Sequence, residues 1–82
     1  MDAEIYIGNL SQDTTENELR DLFSQAGSVT RAILIVDRSS GISKGMAFIQ
    51  MKDRAAADHA VAMFNGRTIS KRKLRVILAE NR

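Results

Sequence analysis

Apolar and polar residues alternate at the start of the chain in the pattern of a β-strand. Ile5 and Ile7 flank Tyr6, so the tyrosine lies on the face of this strand opposite to the two isoleucines. Thr15 and Glu18 have the spacing of a capping box, which predicts that a helix begins there. The apolar residues that follow have the i, i+3, i+4, i+7 spacing of one helical face: Leu19, Leu22, Phe23 and Ala26.

The second half of the chain repeats this order of elements. After a strand from 29 to 36 and a loop, apolar residues alternate again from 45 to 51. Asp53 is a favourable N-cap for a second helix. A short connection from 67 to 71 leads to a last alternating strand from 73 to 79. The apolar residues of the second helix again have helical spacing: Ala57, Ala60, Val61 and Phe64.

The order of elements is therefore β-α-β-β-α-β, with short connections between them. Gly27 is expected to end the first helix in a left-handed conformation, and the Asn65–Gly66 pair to end the second. This order predicts an α+β, ferredoxin-like sandwich, in which two helices cover one face of a four-stranded antiparallel sheet. We expect one domain over 1–82, with its core at about 4–80. The second face of the sheet is then open to solvent.

The four aromatic residues divide between the two faces of the predicted sheet. Phe23 and Phe64 lie on the inward stripes of the helices, where packing in the core accounts for them. Tyr6 and Phe48 lie in the middle of strands, and each alternates with small or aliphatic residues that suit the core. Both rings therefore point to the open face. Two aromatic rings on a water-facing sheet indicate a binding surface.

Charge is distributed unevenly along a chain whose net charge is only +2. Residues 1–30 hold six carboxylates and one arginine, whereas residues 67–82 hold six basic residues and one glutamate. This asymmetry points to a polyanionic partner for the later part of the chain. The alternative is a solvated basic edge strand, which resists pairing with the edge of another sheet.

No constellation of residues suited to catalysis is found. The sequence has no cysteine, which excludes disulfides, thiolate zinc sites and a cysteine nucleophile. The single histidine, His59, lies off the apolar stripe of the second helix and is expected to be solvated. The loop from 41 to 45 lacks the Gly-Lys-Ser/Thr ending of a phosphate-binding loop. We therefore expect neither an enzyme nor a cofactor, a metal site or a small-molecule substrate.

The sequence also lacks signals for export or membrane insertion. No apolar run approaches the roughly 18 residues of a membrane helix, and the first four residues are acidic where a signal peptide is basic. We expect a cytoplasmic, monomeric protein with no membrane partner. The nucleus is the alternative if the sequence is one domain of a longer eukaryotic protein.

Two segments resemble the motifs of a known family. The residues from 5 to 10, IYIGNL, resemble the RNP2 motif of the RNA recognition motif (RRM) family, and those from 44 to 51, KGMAFIQM, resemble its RNP1 motif. Met46 and Met51 stand where aromatic residues are usual. The resemblance covers the chain from about 4 to 80 and includes the short single-RRM proteins of bacteria. In this family, the two strands that carry the motifs are the central strands of the sheet.

The resemblance implies that the open face binds single-stranded RNA, or single-stranded DNA. Tyr6 and Phe48 would each stack on a base. Met46 leaves two rings where many relatives have three, so we expect modest affinity and loose sequence selectivity. The remaining contacts that the resemblance implies are to phosphates from Lys44, Lys73 and Arg75, polar contacts at the rim from Asn9 and Gln50, and contacts to base edges from Ala79, Glu80 and Asn81.

The second predicted strand leaves another function open. Its residues are apolar on both faces, and the resemblance places Ile33 and Ile35 outward. With Met46 and Ile77, these side chains would extend the apolar surface beside the aromatic rings. Such a surface also suits a protein partner or a second copy of the chain. The alternative function is therefore that of a protein-interaction or homodimerising module.

Overall fold

The computed structural model describes residues 2–79 and contains the predicted elements in the predicted order. Glu80 and Asn81, for which contacts with base edges are expected, lie outside the described residues. Both helices lie within 2–79, and neither is long and apolar enough to cross a membrane. The elements are β1 (Ala3–Gly8), α1 (Glu16–Phe23), β2 (Val29–Val36), β3 (Ser43–Met51), α2 (Arg54–Phe64), β4 (Thr68–Ile69), β5 (Arg72–Lys73) and β6 (Arg75–Leu78).

The main sheet has four antiparallel strands in the order β2-β3-β1-β6. The two strands that carry the motif-like segments, β1 and β3, are therefore the central pair, as predicted. Both helices pack against the same face of the sheet. Phe23 of α1 and Phe64 of α2 lie close to each other, with their ring centroids 4.6 Å apart. The ferredoxin-like sandwich is confirmed.

The end of the chain differs from the prediction, because β4 and β5 form a separate two-stranded hairpin. The expected connection from 67 to 71 therefore contains a strand, and Lys73 belongs to the hairpin and not to the main sheet. Ser70 and Lys71 form the turn, with φ values of 51° and 68°. Turns of this kind usually contain glycine or asparagine, so Ser-Lys gave no recognisable signal.

The first helix begins as predicted but ends earlier. The Thr15 hydroxyl accepts the Glu18 N–H at 3.1 Å, and the Glu18 carboxylate accepts the Thr15 N–H at 3.0 Å. The helix ends at Phe23, and Gly27 lies beyond it with a φ of 156°, so the expected left-handed cap is wrong. The glycine is needed for another reason. A Cβ at Gly27 would lie 2.8 Å from the Cβ of Ala56, so its absence lets the two segments approach closely.

In each outer strand of the sheet, one backbone N–H donates a hydrogen bond to a side chain at the end of a helix. Glu16, the first residue of α1, accepts the Leu34 N–H of β2 at 3.0 Å. Asn65, the C-cap of α2, accepts the Val76 N–H of β6 through its Oδ1 at 3.0 Å. Unpaired edge groups are templates for pairing with another chain. The two contacts therefore protect opposite edges of the sheet.

Asn65→Ala is expected to destabilise the domain by about 1 kcal/mol, because the N–H of fully buried Val76 loses its acceptor. Asn65→Asp keeps an oxygen at the same position and is expected to lose less. Urea unfolding of the three proteins, followed by circular dichroism, measures the difference. Equal unfolding midpoints for wild type and Asn65→Ala would show that this bond does not stabilise the edge.

Candidate nucleic-acid interface

The two aromatic rings expected on the open face lie side by side on the central strands. Tyr6 of β1 is directly opposite Phe48 of β3 in the antiparallel register. Their ring centroids are 5.7 Å apart, and the ring planes meet at 61°, so the two rings touch edge to face. Both side chains are half-buried. The pair therefore presents ring surface to solvent in a fixed arrangement.

The same register extends this pair into a row across the whole sheet. Ile33 of β2 is opposite Phe48, and Ile77 of β6 is opposite Tyr6. Residues directly opposite in neighbouring strands share a face, so Ile33 faces outward, as expected. Ile77 is 41% exposed. We call these four residues, Ile33, Phe48, Tyr6 and Ile77, the stacking row.

A second row borders the stacking row on the side where β1 ends and β3 begins. It contains Ile35, Met46, Gly8 and Arg75, in order across the sheet, and we call it the glycine row. A Cβ at Gly8 would lie 2.9 Å from the Tyr6 hydroxyl oxygen and 3.1 Å from one ring carbon. The Tyr6 ring therefore leans over Gly8 and lies along the sheet. A side chain at this position would collide with the ring, so glycine permits this orientation of Tyr6.

A third row on the other side of the stacking row is polar. Arg31, Gln50 and Glu4 are opposite one another on β2, β3 and β1. Ala79 follows β6 and donates its N–H to the Glu4 carbonyl at 2.8 Å. Glu4 was not selected from the sequence, although strand alternation places it on the same face as Tyr6. Amide and carboxylate oxygens in this row can accept hydrogen bonds from base amino groups.

Lys44 lies at a β-bulge where β3 begins. Ile35 pairs with Met46 but Val36 pairs with Ser43, so Lys44 and Gly45 are additional residues in this strand. Gly45 has a φ of 81°, which favours glycine. The Lys44 side chain is exposed. The bulge thus places a cation at the end of the sheet, next to the glycine row.

Asn9 and Arg72 are joined to each other at this end of the sheet. Asn9 has a φ of 64°, and its Nδ2 donates to the Lys73 carbonyl at 2.9 Å. Its Oδ1 accepts from Arg72 Nη2 at 2.7 Å, and its backbone carbonyl accepts from Arg72 Nε at 3.2 Å. Both polar atoms of the Asn9 amide are therefore bonded within the protein. Arg72 was not singled out from the sequence, because nothing distinguished it within the basic run from 71 to 73.

The structure brings together most, but not all, of the residues expected to bind RNA. Lys73 lies in the hairpin and outside the main sheet, and its Cε lies 3.8 Å from the position that a Cβ on Gly66 would occupy. His59 is exposed, as expected, with its Nδ1 3.1 Å from the Ala26 carbonyl. Within residues 2–79, no three histidine, cysteine or acidic side chains cluster as metal ligands. The residues that share the open face are Tyr6, Phe48, Met46, Gln50, Arg75 and Ala79.

Comparisons with known proteins agree with this architecture. The family model described as RNA recognition motif matches residues 5–75. The bacterial protein RbpE from Nostoc sp. is 41% identical over 95% of this chain, which covers 79% of RbpE. The crystal structure of the RNA-binding protein PG1 superposes with a TM-score of 0.93 at 38% identity, covering 98% of this chain and 96% of the other. The structure of the Rna15 RRM with bound RNA (GU) superposes with a TM-score of 0.87 at 33% identity, covering 95% and 83%.

Several relatives are much longer than this chain. Glycine-rich RNA-binding protein 1 of Mycosarcoma maydis is 39% identical over the whole chain, which spans 47% of that protein. The chain spans 34% of the 28 kDa chloroplastic ribonucleoprotein of Spinacia oleracea, at 37% identity over 98% of the chain. The chain therefore spans less than half the length of these two relatives.

Proposed function

This chain belongs to the RNA recognition motif family, and on that premise we propose that its open sheet face binds single-stranded RNA. The family and the relatives identify a binding domain and not an enzyme. The observation that carries the proposal is the pair formed by Tyr6 and Phe48. The two rings are opposite each other on the central strands, in contact, and accessible from solvent.

Base stacking supplies the main attraction in this proposal. Each ring offers a face to one base, and a stacked base contributes about 1–3 kcal/mol regardless of its identity. Gly8 lets the Tyr6 ring lie along the sheet, an orientation that suits stacking of a base on its outer face. The isoleucines at the two ends of the stacking row add apolar surface to this platform.

Charged residues on the same side of the sheet position the RNA backbone. Arg75 lies in the glycine row, and Lys44 lies at the adjacent bulge. Both can neutralise phosphates without reading sequence. Because the face has two aromatic rings where many relatives have three, we propose modest affinity and loose sequence selectivity. Direct titration of fluorescein-labelled random eight-nucleotide RNA, followed by anisotropy, tests this: saturable binding supports it, and no binding at millimolar protein overturns it.

Met46→Phe is expected to tighten RNA binding about fivefold or more, because it adds a third ring beside Phe48 and Tyr6, and a stacked base adds at least about 1 kcal/mol. The measurement is the same anisotropy titration. Ala62→Phe is the control, since it adds a ring at an exposed position on α2, away from the open face. Weaker binding by Met46→Phe would show that the thioether itself makes a specific contact.

The exposed apolar side of the sheet supports a second candidate function. Ile77 is 41% exposed, and the stacking row is apolar from Ile33 to Ile77. A protein partner or a second copy could cover this surface. Sedimentation of the free protein over a range of concentrations distinguishes the candidates: a monomer throughout argues against homodimerisation, and a dimer that dissociates in Ile77→Ser supports it.

A further inference from the structure

A polar groove extends the open face beyond the end of β1. It has a volume of about 580 Å³ and is lined by the loop from 9 to 13, the start of β3 from 43 to 46, and Arg72. Met46 belongs both to this groove and to the glycine row. The groove is therefore continuous with the glycine row, which borders the stacking row. Its volume lies within the roughly 300–1,000 Å³ of ordinary small-molecule sites.

Arg72 is held in place at the wall of this groove while it remains exposed. Its Nε and Nη2 donate to the carbonyl and side-chain oxygens of Asn9, at 3.2 and 2.7 Å. Asn9 is itself anchored by the bond from its Nδ2 to the Lys73 carbonyl. A free arginine side chain loses conformational entropy when a ligand orders it, and here the bonds to Asn9 already order it. A guanidinium plane fixed in this way is a surface on which a base can stack.

Two cationic side chains, Arg72 and Lys44, line the groove. Arg72 uses two of its five N–H groups on Asn9, and it forms no ion pair with the described residues. Two backbone N–H groups in the lining are already bonded, since Leu10 donates to the Gly45 carbonyl and Gly45 donates to the Ser43 hydroxyl. Asp13 is the one carboxylate in the lining. The groove therefore suits a ligand that presents phosphate oxygens together with a flat base.

We propose that this groove holds one further nucleotide of the bound strand, with its base against the Arg72 guanidinium and its phosphate at Lys44. The proposal rests on the function proposed above, because the strand would reach the groove across Met46 from the stacking row. It adds Arg72 as a residue that contacts RNA and Asn9 as the residue that positions it. The Asn9 amide then positions Arg72 through its internal hydrogen bonds and does not itself contact RNA.

The test compares Arg72→Lys with Lys71→Asn in the binding of labelled RNA. Arg72→Lys keeps the charge but removes the planar group, whereas Lys71→Asn removes a charge from the adjacent residue. Asparagine tolerates the positive φ of position 71. We expect Arg72→Lys to weaken binding of a random eight-nucleotide RNA about tenfold, and Lys71→Asn to weaken it about twofold or less. Equal losses in the two variants would overturn the proposal, because they would show a general effect on the hairpin.

Nuclear magnetic resonance locates the contact directly. In wild type, the eight-nucleotide RNA is expected to shift the Arg72 side-chain Nε–H signal and the backbone amides of Leu10 and Gly45. An unchanged Nε–H signal at saturation would overturn the proposal. A mononucleotide, uridine monophosphate, is the second ligand. Shifts of the same signals at an affinity equal to that of the eight-nucleotide RNA would show a phosphate site independent of the strand, which also overturns it.

These experiments test the proposal for the groove and the proposal for the stacking row independently. Phe48→Ala tests the stacking row, because Phe48 does not line the groove. Loss of binding in Phe48→Ala together with wild-type affinity in Arg72→Lys would leave the proposed function standing and remove the groove from it. Wild-type affinity in both Phe48→Ala and Tyr6→Ala would instead contradict the function on which the groove depends.

Discussion

Phe48→Ala is expected to weaken binding of single-stranded RNA by about 5- to 150-fold, the range that corresponds to 1–3 kcal/mol for one stacked base. The ring is half-buried and opposite Tyr6, so its removal takes away one of the two stacking surfaces and the edge contact that orients the other. Tyr6→Ala is expected to have an effect in the same range. Anisotropy titrations with labelled random RNA measure both.

The loss of binding can be assigned to the missing ring only if Phe48→Ala remains folded. Phe48 packs on the open face, outside the buried core, so its truncation is expected to cost only about 1 kcal/mol of stability, the order of one aromatic pair. Amide spectra of the variant that keep the dispersion of the wild type would establish this. A folded Phe48→Ala and a folded Tyr6→Ala that both bind RNA with wild-type affinity would contradict the proposed function.

Phe64→Ala is expected to act mainly on stability, whereas Phe48→Ala acts mainly on RNA binding. The expected loss in the free energy of unfolding is about 3–5 kcal/mol. Phe64 is fully buried, its ring lies 4.6 Å from the ring of Phe23, and the guanidinium carbon of Arg67 lies 5.3 Å from its centroid. Truncation leaves a cavity where α1, α2 and the sheet meet. A domain of this size has only about 5–15 kcal/mol of total stability. Urea unfolding measures the loss.

The two phenylalanine variants are matched controls for each other, since the same atoms are removed on opposite sides of one sheet, from strand β3 in one case and from helix α2 in the other. If Phe64→Ala does not fold, Phe64→Leu gives a smaller loss, on the order of 1 kcal/mol, that can still be measured. The fraction of Phe64→Leu that remains folded is expected to bind RNA as wild type does. Equal losses of stability in Phe48→Ala and Phe64→Ala would show that the assignment of faces is wrong.

Periodicity in the sequence was sufficient to predict the main architecture. Strand alternation placed Tyr6 and Phe48 together on the open face, and helical spacing placed Phe23 and Phe64 together in the core, because side-chain direction follows directly from backbone period. The capping box at Thr15 was also recognisable, since its two hydrogen bonds are local. The pairing of Tyr6 with Phe48 needed one further step, the order of strands, which came from the family resemblance.

The features that escaped prediction have no recognisable local pattern, and two of the three depend on contacts between residues far apart in the chain. The hairpin turn at Ser70 and Lys71 adopts positive φ values without the usual residues, so no local pattern marks it. Gly27 is required by its approach to Ala56, 29 residues later, and not by a helix cap. The arrangement of Arg72 is set by Asn9, 63 residues earlier. In a basic run, sequence alone does not show which residue is held by a distant partner.

The most direct test of the account is a titration of the uniformly ¹⁵N-labelled protein with a pool of random eight-nucleotide RNA, repeated with the same pool as DNA. Chemical-shift changes are expected in the backbone amides of β1 and β3, centred on Tyr6, Met46 and Phe48. The ratio of the RNA and DNA affinities shows whether the 2′-hydroxyl is read. Unchanged amides on β1 and β3 at saturating RNA, or changes confined to α1 and α2, would contradict binding by the open sheet face.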